Sequence, residues 1–130
     1  MGTRIEDIMT PDPMTLAPSA LIREAYALMR QRWFRHVPIE EEGVLVGIIS
    51  MTDIGRLGAR VPEILATPIR DVMSTNLVTV KPEEAVEVAA ATMAVRKINC
   101  LLVVVDAKLV GIVTTYDLLD ALARSLREAQ

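Results

Sequence analysis

The chain has 130 residues, a formal net charge of −3 and one cysteine, and 52% of its residues are hydrophobic. This composition excludes a disordered chain, the length allows one compact core, and the mild acidity disfavours a nucleic-acid partner, which needs clustered basic residues. Because no signal-peptide core and no apolar run of ~18 residues occurs, we expect a cytoplasmic protein that does not enter a membrane.

The first predicted elements are a short helix at "IEDIMT" (residues 5–10) and a brief strand at "PMTL" (13–16). The next helix is predicted to open with Pro18 at its first position, where a missing N–H costs nothing. Helical spacing relates Ile22, Ala25, Leu28, Met29 and Arg32–Trp33. The strands "HVPI" and "VLVGIIS" are predicted to form a hairpin around Glu40–Gly43, followed by a helix that begins near Asp53 and a linker near 55–67.

The same order of elements returns 64 residues later. Residues 5–54 align without a gap on residues 69–118, with 14 identities in 50 positions; composition alone gives roughly four or five. The second copy predicts a helix opened by Pro82, a hairpin of "CLLVVV" and "LVGIVT" around 106–108, and a helix that begins near Asp117. We therefore predict two repeats, 1–60 and 61–130.

Each repeat reads β-α-β-β-α, and one such unit alone leaves an apolar face of its sheet open. The predicted fold class is α+β. We expect the two repeats to pack face to face through their sheets, with pseudo-twofold symmetry.

The end of each hairpin carries a hydroxyl residue and, three positions later, an aspartate at the mouth of a helix. These Ser/Thr-x-x-Asp motifs are "SMTD" (Ser50–Asp53) and "TTYD" (Thr114–Asp117). Helix N–H groups and the helix dipole favour an anion, and a carboxylate can accept two hydrogen bonds from a ribose diol. The pattern suits a nucleotide. A purely structural interpretation is that Thr52, Asp53, Thr115 and Asp117 serve as N-caps.

Arg35 and His36 begin the strand "HVPI", where a guanidinium and an imidazole could contact phosphate oxygens. A solvated strand histidine is the alternative. Because the chain has no second histidine and no cysteine that neighbours His36, neither a zinc site nor a Cys–His pair can be assembled, and we predict no metal and no catalytic residues. Cys100 is expected to be a buried, inert thiol.

Taken together, "DIMT…RHVPI…LVGIISMTDI" and "DVMS…LLVVVD…LVGIVTTYDL" resemble two motifs of the cystathionine-β-synthase (CBS) domain family, the tandem pair called a Bateman module. The resemblance covers about residues 4–122. It implies a non-catalytic sensor that binds AMP, ADP, ATP or S-adenosylmethionine as a regulatory ligand, in clefts between the repeats. With no effector domain on the chain, the signal would reach a regulated enzyme or transporter in trans.

The resemblance also assigns residues to clefts. One cleft would combine Thr114 and Asp117 with Thr10 and Arg35–His36. The other would combine Ser50, Thr52 and Asp53 with Ser74 and Asn99–Cys100. Only the first then contains a cation for phosphates, although Tyr116 could crowd it if the ring turned inward.

The family habit of forming dimers, together with leftover apolar helix faces, leads us to expect a homodimer. The C-terminal leucines 118, 119, 122 and 126 lie at helical spacing, and they could pack on the chain's own core or on a partner. An alternative function is a structural dimerisation module with vestigial clefts.

Overall fold

The computed structural model describes residues 3–129. The helices are α1 (Ile5–Ile8), α2 (Ile22–Arg32), α3 (Met51–Gly58), α4 (Val86–Arg96) and α5 (Thr115–Glu128). The strands are β1 (Thr10–Pro11), β2 (His36–Glu41), β3 (Val44–Ser50), β4 (Thr79–Val80), β5 (Cys100–Val105) and β6 (Lys108–Thr114). Two 3₁₀ turns occupy Ile64–Ala66 and Ile69–Asp71.

The chain forms two compact units that interleave the sequence repeats. Unit 1 joins the chain up to Pro13 to the chain from Val78 onward, and unit 2 is Met14–Leu77. The leading segment of each repeat, 5–10 or 69–74, thus belongs to the unit built around the other repeat's hairpin. The boundary at residue 60 stays a prediction about the sequence.

Unit 1 is organised around a four-stranded sheet in the order β1-β6-β5-β4. The hairpin β5–β6 is antiparallel and places Cys100 opposite Thr114, while β4 runs parallel to β5. We expected three strands per repeat. The fourth is β1, which pairs with β6 through Thr10 opposite Ile112 and Pro11 opposite Gly111, because the exposed edge of β6 offers unpaired backbone groups.

Unit 2 repeats this arrangement in a reduced form. The hairpin β2–β3 is antiparallel and places His36 opposite Ser50. Single bridges join Leu16 to Ile39 in parallel and Ile48 to Ser74 antiparallel. The leading segment again flanks the second hairpin strand.

The two prolines do not open the helices, so that prediction is wrong. α2 begins at Ile22 and α4 at Val86, each four residues after its proline. The carbonyls of Pro18 and Pro82 instead accept hydrogen bonds, at 3.0 and 2.9 Å, from the backbone of the leading segments at Arg70 and Glu6. Each proline therefore lies in a turn that holds a leading segment.

Two further predictions are wrong in detail. α3 continues to Gly58, so the predicted linker is partly helical, and the turn Ile64–Ala66 packs on α2. Trp33 is not on the buried face of α2: it is the C-cap in the left-handed region, with φ 60°, and its side chain is 94% exposed.

Each unit has its own apolar core. In unit 2 the buried face of α2 packs with β2 and β3. In unit 1 α4 contributes Ala89 and Met93 to a core with Leu101, Val103 and Val113. Burial of these aliphatic side chains is the main stabilising term for each unit.

A glycine in each hairpin lets the leading segment approach closely. A Cβ at Gly47 would meet the Met73 side chain and lie 3.1 Å from the Ser74 carbonyl oxygen. A Cβ at Gly111 would meet the Met9 side chain and lie 3.2 Å from the Thr10 carbonyl oxygen. Hydrogen bonds of 2.9 and 3.0 Å join Ser74 and Ile48 at this contact. The glycines therefore fix where each leading segment lies.

Candidate functional site

In the motif of unit 1, Thr114 and Asp117 hydrogen-bond to each other. Thr114 is the N-cap of α5, and the Asp117 carboxylate accepts hydrogen bonds from the Thr114 backbone N–H at 2.9 Å and from its hydroxyl at 3.2 Å. The Asp117 backbone N–H donates in return to the Thr114 Oγ1 at 3.4 Å. This reciprocal arrangement is a capping box, and it leaves the second carboxylate oxygen for another donor.

The motif of unit 2 is held differently. Ser50 is the N-cap of α3, and its Oγ accepts from the Asp53 backbone N–H at 3.0 Å. The Asp53 carboxylate accepts from the Arg56 guanidinium at 3.0 Å and its side chain is 28% exposed. Asp53 is therefore paired with a cation on the surface of α3.

The N-caps are one place where the sequence interpretation is wrong. The purely structural interpretation made Thr52, Asp53, Thr115 and Asp117 the N-caps, yet Ser50 and Thr114 occupy the N-cap positions. The reason is that each strand continues to the hydroxyl residue, whose backbone is still extended, and helical geometry starts directly after it. Thr52 is exposed, and Thr115 lies near Asn99, whose carbonyl accepts from its backbone N–H at 3.1 Å.

Each motif has a hydroxyl residue of a leading segment on the neighbouring strand. Thr10 is paired opposite Ile112, two residues before Thr114. Ser74 is paired opposite Ile48, two residues before Ser50. Strand periodicity places residues two apart on the same face of a sheet. The structure thus places Thr10 on the same face as Thr114 in unit 1, and Ser74 on the same face as Ser50 in unit 2.

Arg35 and His36 lie in unit 2. His36 is opposite Ser50, and burial first, then the Arg35 charge, lowers the pKa of His36 below its usual value of 6.5, against a smaller opposing effect of Asp53. The imidazole is therefore neutral at neutral pH, and Arg35, which is exposed, is the cation of the pair. Their assignment to the cleft of Asp117 joins residues of different units and stays a prediction.

Asn99 and Cys100 occupy the matching positions of unit 1. Burial, and secondarily the Asp117 charge, raises the pKa of the Cys100 thiol to about 12. A protonated thiol is a poor nucleophile, so Cys100 is suited to packing. The predicted cooperation of this pair with Asp53 stays a prediction as well.

Tyr116 does not pack into unit 1, because its side chain is 75% exposed. Sequence reasoning missed Arg56 as the partner of Asp53. The signal was present, since residues three apart on a helix are neighbours. The matching residue of unit 1 is Asp120, which pairs with Arg124 at 3.0 Å.

The described residues contain no cluster of three or more histidine, cysteine, aspartate or glutamate side chains placed to hold a metal ion. Within residues 3–129, no helix combines the length and the apolar character that crossing a membrane requires. The chemistry on offer at the two motifs is hydroxyl, carboxylate and helix N–H groups, which recognise a polar ligand by hydrogen bonds.

Comparison with known proteins identifies the class. The CBS domain family matches residues 5–58 and 69–124, most of the chain. The protein belongs to the CBS domain family and contains a tandem pair of these domains, as the sequence resemblance predicted.

Individual relatives support this membership. The CBS domain-containing protein YhcV of Bacillus subtilis is 37% identical over 114 residues, which cover 88% of this chain and 81% of YhcV. The structure of AcuB from Vibrio cholerae has a TM-score of 0.88 at 33% identity and covers 98% of this chain and 95% of AcuB. The CBS domain pair of protein MJ0100, crystallised with 5′-methylthioadenosine and S-adenosyl-L-methionine, has a TM-score of 0.88 at 31% identity, covering 96% and 99%.

Other curated relatives are much longer. The chain matches only 22 to 23% of the length of relatives named as a sulfurtransferase or an acetyltransferase. The shared part in those proteins is the CBS pair, a small fraction of each chain.

Proposed function

We propose that this CBS pair is a non-catalytic sensor that binds an adenosine-type ligand at its Ser/Thr-x-x-Asp motifs. The observation that carries the proposal is the same constellation in both units: a hydroxyl N-cap, an aspartate three residues later, and a hydroxyl residue of a leading segment on the adjacent strand. A ribose diol can donate to the carboxylate, while the hydroxyls and helix N–H groups contact the remaining polar atoms.

The MJ0100 pair supports the choice of ligand class. Both compounds in that crystal structure contain adenosine, and neither contains a phosphate. Because adenosine is the part that these compounds share with the nucleotides, recognition common to all of them must use the base and the ribose. The proposed ligands of this protein are accordingly S-adenosylmethionine and the nucleotides AMP, ADP and ATP, with the ribose contact common to all.

A thermal-shift and calorimetry series tests this proposal. Adenosine, 5′-methylthioadenosine, S-adenosylmethionine, AMP and ATP are each added to the intact chain. A ligand that binds only the folded state raises the melting temperature, and we expect at least one of the five to do so. If none shifts the melting temperature or releases heat at millimolar concentration, the sensor proposal is wrong.

Arg35 is proposed to contact phosphates when a nucleotide binds. Arg35→Ala should weaken binding more as phosphates are added and leave adenosine nearly unaffected, because charge-assisted contacts are about twice as strong as neutral ones. Arg32→Ala, three residues away in the exposed last turn of α2, is the matched control. Equal losses for adenosine and ATP would mean that Arg35 supports the fold instead.

We further propose that two chains associate and that the ligand signal passes to an enzyme or transporter in trans. The association is supported by α5, where Leu118 packs on the core while Leu119, Leu122 and Leu126 are each more than half exposed. Exposed apolar stripes of this kind are typical of protein interfaces. Sedimentation equilibrium at micromolar concentration measures the association, and a clean monomer contradicts it. Association without ligand binding would favour the dimerisation module.

A further inference from the structure

One face of α2 carries arginines and aromatic rings in alternation. Arg23, Tyr26, Arg30 and Trp33 lie at the spacing i, i+3, i+7 and i+10, which returns to one face of a helix. We call these four residues the α2 stripe. The chain has one tryptophan, two tyrosines and one phenylalanine, and two of these four aromatic side chains belong to the stripe.

Trp33 contributes little to the fold of unit 2. Its side chain is 94% exposed, so it buries almost no apolar area within the chain. Its backbone is left-handed, with φ 60° and ψ 33°, a conformation that glycine or asparagine adopts at lower cost at the end of a helix. A large indole at such a position is free for a contact with another molecule.

The two arginines of the stripe are held in place but have no acidic partner. The Arg30 guanidinium donates to the Tyr26 hydroxyl at 3.2 Å, and its central carbon lies 5.7 Å from the centre of the Tyr26 ring. The Arg23 Nε donates to the Leu65 carbonyl at 3.3 Å. Within residues 3–129 neither guanidinium forms an ion pair. Because a guanidinium has several N–H donors, each arginine retains donors for a carboxylate.

The equivalent face of α4 in unit 1 lacks these side chains. The positions 64 residues later hold Glu87, Ala90, Ala94 and Lys97, and all but Ala90 are exposed. Lys97 shares the left-handed C-cap conformation of Trp33, with φ 56°, so the fold accepts a polar side chain there. The stripe is thus a feature of unit 2 that the repeat itself does not require.

The composition of the stripe favours an acidic protein partner. Tryptophan, tyrosine and arginine are the residues most enriched where protein interfaces gain their binding energy. The chain has a net charge of −3, so the rest of it carries −5 once the two positive charges of Arg23 and Arg30 are set apart. A positive stripe on an acidic chain is complementary to carboxylates. The same face of a second copy offers arginines again and no acid for either of them.

The spacing of the arginines favours a helical partner. Arg23 and Arg30 are seven residues apart, which is about 10 Å along the axis at ~1.5 Å per residue. Acidic residues at the same spacing on a second helix lie on one face and have the same separation. In an extended segment this distance corresponds to about three residues, and side chains three positions apart point to opposite faces. Tyr26 lies between the arginines, so apolar residues between the two acidic ones complete the match.

We propose that the α2 stripe docks an amphipathic helix of the regulated partner, with acidic residues on Arg23 and Arg30 and apolar residues on Tyr26 and Trp33. This rests on the signalling in trans proposed above, and it names the surface and the chemistry of the partner. The stripe shares no residue with the Ser/Thr-x-x-Asp motif of unit 2, so docking and ligand binding can be measured separately.

Fluorescence tests the docking directly, because Trp33 is the chain's single tryptophan. The probe is a synthetic helical peptide with two glutamates at the spacing of Arg23 and Arg30 and leucines between them, and the intact chain is titrated with it. Docking should shift the Trp33 emission to shorter wavelength, because the indole leaves water. The control peptide has glutamines in place of the glutamates and should bind about fivefold more weakly.

Variants of the chain locate the contact. Arg23→Glu and Arg30→Glu should each weaken binding of the glutamate peptide about fivefold, and a peptide with lysines at the two positions should bind the double variant better than the parent. Arg96→Glu, in the exposed last turn of α4, is the matched control and should change nothing.

Trp33→Gly separates docking from stability. It should weaken binding about thirtyfold, measured by calorimetry, without lowering the melting temperature, because glycine suits a φ of 60°. A lower melting temperature with unchanged binding would make Trp33 a structural residue and overturn its role here.

Three other results overturn the proposal. One is no emission shift at millimolar peptide, or equal binding of the glutamate and glutamine peptides. Another is a single-stranded oligonucleotide that shifts the emission as strongly as the peptide, which would make the stripe a nucleic-acid contact. The third is a concentration-dependent shift of the chain alone, which would make it a contact between copies. A positive peptide titration with no response in the thermal-shift series removes the sensor and leaves this surface; the reverse pair of results removes the surface alone.

Discussion

The two Ser/Thr-x-x-Asp motifs have the same sequence pattern and different electrostatic surroundings. In unit 1 Asp117 turns back to its own N-cap residue, Thr114, and completes a capping box. In unit 2 Asp53 is paired with Arg56, and Ser50 caps the helix without it. One carboxylate is thus held by neutral donors and the other by a cation.

The residue three positions after the aspartate accounts for this difference. Arg56 attracts Asp53, whereas Asp120 repels Asp117 and pairs with Arg124 instead. The comparison teaches that a duplicated motif can acquire different electrostatic surroundings while it keeps its aspartate and its hydroxyl N-cap. At the proposed sites, a ligand would compete with Arg56 for Asp53, whereas the second carboxylate oxygen of Asp117 is left for it by the capping box.

Removing each carboxylate is the change with the largest expected effect. Calorimetry on Asp53→Ala and Asp117→Ala separately should show weaker adenosine-ligand binding at the site that contains the replaced aspartate. A charge-assisted ribose contact contributes about 1.5–3 kcal/mol, or roughly ten- to hundredfold.

Arg56→Ala is the matched control for this pair, since it releases Asp53 without touching it. It should leave binding unchanged or tighter. If both aspartate variants bind as the parent does, the carboxylates serve only the capping box of α5 and the ion pair with Arg56.

Replacing Gly47 or Gly111 by alanine should destabilise the unit that contains it. Gly111→Ala and Gly47→Ala place a Cβ against a methionine side chain and close to a backbone carbonyl, so each should lower the free energy of unfolding by about 1–3 kcal/mol. Denaturant unfolding measures the loss.

The double variants Gly111→Ala/Met9→Ala and Gly47→Ala/Met73→Ala separate the sources of this effect. Each should cost less than the sum of its single changes, because the methionine is what the new methyl group meets. Strict additivity would show that the methionine is not the obstacle.

The capping difference predicts unequal effects of removing the hydroxyls. Thr114→Ala removes two hydrogen bonds of the hydroxyl, one accepted from the Asp117 backbone N–H and one donated to the Asp117 carboxylate, while Ser50→Ala removes one. We expect about 1 kcal/mol for Thr114→Ala and less for Ser50→Ala. Chemical denaturation of both variants checks the order. Equal losses would mean that the Asp117 carboxylate adds nothing to the cap.

The smallest expected effect is a pH dependence confined to unit 2. The pKa of His36 is lowered below 6.5 in the folded protein, so the unfolded chain binds the proton first as the pH falls. The contribution of neutral His36 to the free energy of unfolding is therefore present above pH 6.5 and is lost as the pH falls from there toward the folded pKa.

His36→Gln should remove this slope. The matching residue, Cys100, has a pKa of about 12 and does not titrate in that range. Urea midpoints between pH 7.5 and pH 5.5 measure the change. An identical slope in the variant would assign the pH dependence to another group.

Much of the fold and of the candidate site could be predicted from the sequence. The 64-residue repeat predicted two copies of the same elements. Within each copy, the different periodicities of strands and helices predicted a hairpin followed by a helix. The same alignment located both aspartates and both strand-end hydroxyls. The helices after Pro18 and Pro82 were predicted too early, because proline fits the first turn of a helix as well as a turn before it.

The tertiary structure alone decided which unit each leading segment joins. Nothing local in residues 5–10 specifies whether they pair with β3 or β6, since Gly47 and Gly111 sit in identical "LVGI" runs. It also decided the partners of the two aspartates and the exposure of α4 and α5. Pairing and burial depend on contacts between distant residues, whereas caps, turns and periodicity are properties of neighbours along the chain.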